Sequence, residues 1–81
     1  NNPAILDSMG WVLFKLGEHD AALTFLQRAL SLQRDPEIGA HLIEVYLALD
    51  QRQEAESLLQ ELLAENPRNP ILQPLRDLLA Q

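Results

Sequence analysis

Apolar residues recur along this chain at the three- and four-residue spacing of a buried helix face, in five successive segments. In the first, Ile5, Leu6, Met9, Val12, Leu13 and Leu16 lie between Pro3 and Gly17. Proline suits a first helical turn and glycine suits the position just past a helix end, so these two residues bracket the element. A second segment carries Ala22, Leu23, Leu26, Ala29 and Leu30, with Asp20 placed to cap or lead it. Asp35-Pro36 opens a third helix, because an aspartate side chain accepts from free backbone donors and proline fits the next position. That helix runs to about Leu49 through Ile38, Leu42, Val45 and Tyr46. A fourth spans about Arg52 to Glu65, and Asn66-Pro67 ends it. The last segment, Ile71 to Ala80, contains Pro74, which lacks an amide donor, so its regular part is expected to start near Gln73. The predicted class is all-α.

The segments repeat. Ala22 matches Ala55, Leu26 matches Leu59, Ala29 matches Leu62, Met9 matches Leu42 and Leu13 matches Tyr46, each pair 33 residues apart. A further step of the same size lands on Leu72, Leu75 and Leu79. A two-helix unit at this period marks a solenoid. The expected division is a first repeat over about 3–35, a second over about 36–68 and a closing helix over about 70–80, all in one domain.

The marks Leu6, Met9-Gly10, Leu13, Gly17, Ala22, Leu26 and Ala29, then Gly39, Leu42-Ile43, Tyr46, Asp50, Ala55, Leu59, Leu62 and Pro67, resemble the tetratricopeptide-repeat (TPR) pattern. The departures are local. Gly39 and Ile43 stand where the first repeat has Leu6 and Gly10, as if bulk had moved between neighbouring sites, and Asp50 replaces the turn glycine. The resemblance implies an antiparallel helix-turn-helix solenoid that binds a protein or peptide. It also implies similarity to the C-terminal end of large bacterial multi-TPR proteins, of cytoplasm or envelope. The start at Asn1, with Met9 as the sole methionine, fits a piece of a longer chain.

Composition narrows the partner. The net charge of −6 disfavours nucleic-acid backbones and anionic membranes, which reward Lys and Arg. No apolar run reaches the length of a membrane span. Cysteine is absent, so neither disulfides nor thiolate metal sites can form. Catalytic chemistry lacks a constellation: Ser8, Ser31 and Ser57 show no pairing with His19 or His41. Glu37, His41 and Glu44 share one helix face, where a solvated Glu–His contact is expected in preference to a metal, and no cofactor is implied.

In TPR arrays the first helices of successive repeats line a concave groove. The resemblance places Asp7, Trp11, Phe14 and Lys15 of the first helix there, with Ala40, His41, Glu44, Leu47 and Ala48 of the third, and Gln73 and Asp77 of the last. Trp11 lies off the stripe of Leu6, Met9, Leu13 and Leu16, so it serves either as a groove anchor or as a local packing residue over Phe14. One TPR subtype grips acidic C-terminal tails with Lys, Arg and Asn, but here those positions hold Asp7, Trp11, Ala40, Glu44, Gln73 and Asp77. An apolar or basic segment is therefore the expected ligand. Two alternatives remain open: a purely architectural cap of a longer solenoid, and a weak homodimer through the outer side of the first helix near Ile5 and Val12.

Overall fold

The computed structural model describes residues 1–80. Five helices follow one another: α1 (Pro3–Lys15), α2 (His19–Leu32), α3 (Pro36–Ala48), α4 (Arg52–Glu65) and α5 (Leu72–Leu79). Helices α1–α2 and α3–α4 are antiparallel hairpins, α2 packs on α3, and α5 packs on α4 and α3. The first helices α1, α3 and α5 thus adjoin along one side of the stack.

Each boundary has a local cause. The Asn2 side chain accepts from the Ala4 and Ile5 amides at 2.9 and 3.4 Å, ahead of Pro3. Asp35 does the same for the Glu37 amide at 2.7 Å, ahead of Pro36. The two hairpin turns are built alike. The Glu18 amide donates to the Leu13 carbonyl and the Gly17 amide to Phe14, while Gly17 takes φ +84°. In the second repeat Gln51 donates to Tyr46 and Asp50 to Leu47, with Asp50 at φ +61°. This is the Schellman closure, whose left-handed residue carries the strain of any side chain placed there.

Four expectations are refined or changed. Asp20 leads α2 and does not cap it. The cap position is Glu18, whose side chain makes no cap bond, and Asp20 sits in the first turn, where its charge faces the helix dipole favourably. The regular part of α5 starts within one residue of the expected Gln73. The helix already begins at Leu72, so Pro74 falls in the first turn, where a missing amide leaves no intrahelical bond unmade. The inner stripe of α1 is Leu6, Gly10 and Leu13, with Met9 and Leu16 pointing outward beside Ile5 and Val12. The stripe was misjudged because Gly10, the buried member, has no hydrophobic side chain to announce it.

The core joins Ala22, Leu26, Ala29 and Leu30 of α2, Ile38, Leu42, Ile43 and Val45 of α3, Ala55, Leu58, Leu59 and Leu62 of α4, and Leu72, Leu75 and Leu79 of α5. Two glycines let the hairpins close. A Cβ on Gly10 would meet Leu26 Cγ at 2.7 Å, and one on Gly39 would run into the end of Leu62. The bulk is exchanged across the hairpins: Leu6 and Ala29 in the first repeat become Gly39 and Leu62 at the same positions of the second. The fourth change, at His41, belongs to the groove.

Candidate functional site

The shared side of α1, α3 and α5 has two zones. The first, between α1 and α3, is filled by the chain's own side chains. Asp7 Oδ1 lies 2.8 Å from His41 Nδ1, and both side chains are less than one-fifth exposed. The indole of Trp11 stacks on the His41 ring with centroids 4.1 Å apart at 21°. Phe14 continues the stack at 5.0 Å from Trp11, and His19 lies 5.1 Å beyond Phe14. Lys15 Nζ sits 4.8 Å from the Trp11 ring centre, within cation–π range. Helical spacing explains the order: positions 7, 11, 14 and 15 fall on one face of α1, turned toward α3.

The Glu–His contact expected at Glu37, His41 and Glu44 is replaced by Asp7–His41. The partner comes from another helix, 34 residues away, which spacing along one helix could not reveal. An Asp–His pair can orient a general base, but no hydroxyl completes it. Ser8 lies on the outer side of α1, Ser31 donates to the Arg28 carbonyl at 2.7 Å, and Ser57 lines a shallow groove with α2 residues. Among the described residues, no three His, Asp or Glu side chains converge as metal ligands.

The second zone is open. Between α3 and α5 lies a depression of about 660 Å³, lined by Glu37, Ala40, His41 and Glu44 on one wall and by Ile71, Pro74, Leu75 and Leu78 on the other. The wall of α3 carries the carboxylates, and that of α5 is apolar. Neither Glu37 nor Glu44 makes an ion pair among the described residues.

The structure therefore brings Asp7, Trp11, Phe14, Lys15 and His41 into one contiguous stack, with His41 and Glu44 continuing into the depression. Gln73 and Asp77 do not line it: Gln73 Nε2 donates to the Pro67 carbonyl, and Asp77 is exposed. The α5 residues that do face α3 lie one position later, at Pro74 and Leu78, with Ile71 a turn before. Leu47 is half-buried against the core, and Ala48 ends α3 exposed. Periodicity does not announce the Ile71–Pro74–Leu78 wall, because Pro74 enters it as a surface residue of the first helical turn.

A tetratricopeptide-repeat sequence profile matches residues 13–81. The chain belongs to the tetratricopeptide-repeat family. A TPR repeat-containing protein of Pseudomonas aeruginosa is 46% identical over 44 residues, covering 54% of this chain and 8% of the relative. The chain thus spans a small fraction of that protein's length. No solved structure matches it. TPR repeats are in general protein–protein interaction modules on a non-catalytic scaffold. No helix among the described residues is long and apolar enough to cross a membrane.

Proposed function

We propose that this TPR segment binds a peptide or protein segment that is basic and apolar in alternation, seated in the depression between α3 and α5, and that it catalyses no reaction. The observation that carries the reading is the two-sided wall: Glu37 and Glu44 without cationic partners, opposite Ile71, Pro74 and Leu78. A Lys or Arg on the ligand would meet the carboxylates, while its apolar neighbours would cover α5. An acidic C-terminal tail would meet repulsion from the same carboxylates.

Trp11 and Phe14 lie along the rim of the site. Their rings are stacked and half-covered, so the reading gives them the role of fixing α1 against α3 and of offering an aromatic edge to a longer ligand. A peptide array tests the proposal. Basic–apolar peptides should bind the wild-type chain, and Glu37→Lys with Glu44→Lys should lose those peptides and gain acidic ones. Enrichment of acidic tails by the wild-type chain would reject it.

One observation favours an architectural role beside the binding one. Helix α5 buries Leu72, Leu75 and Leu79 and exposes Arg76 and Asp77, the two-faced arrangement that ends a solenoid. Under that role alone, the charge-reversed pair would leave every partner interaction of the chain unchanged.

A further inference from the structure

The outer side of α1 is apolar and uncovered. Ile5, Met9, Val12 and Leu16 are 58%, 46%, 58% and 72% exposed, and Ser8, Met9, Val12, Leu13 and Phe25 line a depression of about 450 Å³. The chain contains its own template for what covers this surface. Moved along by 33 residues, Ile5, Met9 and Val12 become Ile38, Leu42 and Val45, which are almost fully buried. Met9, Leu13 and Phe25 become Leu42, Tyr46 and Leu58, and these three line a groove shared with Gln27 and Leu30 of α2 and Arg34 of the loop after it. The counterpart of the bare face is thus covered by a helix.

The template also states how a covering helix must differ from α2. In the second repeat, Gln27 Nε2 reaches the Tyr46 hydroxyl at 3.1 Å. The residue at Tyr46's place in the first repeat is Leu13, which offers no polar atom, so an apolar side chain belongs where α2 has Gln27. Arg34, in the loop just past the end of α2, lies 3.5 Å from Glu61 and 2.8 Å from Glu65. In the first repeat Arg28 stands at the position of Glu61 and Leu32 at that of Glu65, so one charge is inverted and the other is lost. An acid belongs in the loop after the covering helix, at the place of Arg34.

We infer that the outer face of α1 and α2 docks an amphipathic helix that is apolar at the places of Leu23, Gln27 and Leu30 and is followed, just past its end, by an acid at the place of Arg34. That pattern reads apolar at i, i+4 and i+7 and Asp or Glu at i+11. Helices of a second copy do not satisfy it. Another α2 with the loop after it would set Arg34 against Arg28, and α4 with its loop presents Glu56, Gln60, Leu63 and Pro67 at these places. Charge complementarity therefore selects a different helix over the self-association expected from the bare face alone. The inference rests on the repeat register and is independent of the α3–α5 depression.

The test uses two hydrocarbon-stapled, fluorescent peptides, since a free helix of this length is marginal in water. One carries residues 20–35 of this chain, and the other the same residues with Gln27→Leu and Arg34→Glu. Fluorescence anisotropy against the full chain should show the second binding about tenfold or more tighter than the first. Arg28→Glu in the chain should reverse that order. Met9→Glu, at an exposed position, should abolish binding with the helical circular dichroism unchanged. Equal binding of both peptides, or indifference to Arg28→Glu and Met9→Glu, would overturn the inference. So would sedimentation showing a dimer that Met9→Glu dissociates, which would assign the face to a second copy.

Discussion

The residue-scale features divide into those a sequence displays and those it conceals. The turn glycine and its replacement are displayed. Gly17 and Asp50 occupy the same left-handed site, and the strain of a side chain there is about 1 kcal/mol. Asp50→Gly should accordingly raise the melting temperature by roughly 5 °C for a domain of this size, measured by thermal circular dichroism. The close approach at Gly10 is concealed until α2 is placed, because it depends on where Leu26 lies. Gly10→Ala should cost about 2 kcal/mol in a urea titration, with an unchanged slope. The packing of Trp11 over Phe14 is legible in the sequence as one of two alternatives, but its stacking on His41 is not. Its covering ring, His41, comes from another helix and is itself fixed by Asp7. Trp11→Ala should therefore lower stability by about 2 kcal/mol, and a chain that keeps its full stability without the indole would contradict the packing described.

Among the helices, the element limits read from Pro3, Gly17, Asp35-Pro36 and Asn66-Pro67 agree with the structure, since caps and turns are local chemistry. The facing of each helix was harder to read. In α1 the outward stripe is as hydrophobic as the inward one, so periodicity alone selects the wrong pair in Met9 and Leu16. In α5 the depression is lined by Pro74 and Leu78, each next to a position that the resemblance implies, Gln73 and Asp77. Helix α5 is held by α4 in two ways. Its apolar side lies on α4, and the Arg52 guanidinium donates to the Leu79 carbonyl at 2.6 Å, satisfying an acceptor at the helix C-terminus. Arg52→Ala should cost about 1 kcal/mol and loosen α5 first, seen as faster amide exchange in residues 76–80 than in α3.

For the whole molecule, stability is shared between neighbours, since each helix touches the next ones in the stack and little else. Removing α5 should thus do more than fray an end. It bares Leu59 and Leu63 of α4, which lie beside Leu79, and a chain ending at Pro70 should lose its sharp thermal transition. Such an array gains its function from the surfaces left between helices. One of these is the α3–α5 depression.

Near-identical hairpins carry a risk of exchanging partners, within one chain or between two. The exchanged bulk at positions 6, 29, 39 and 62 acts against it. Pairing α1 with α4 would press Leu6 onto Leu62, two large side chains in a place sized for one. Pairing α3 with α2 would set Gly39 against Ala29 and leave a void. Each helix is thereby keyed to its own mate, as a lock is cut to reject its neighbour's key, and a chain built from two copies of the first repeat would forfeit that discrimination.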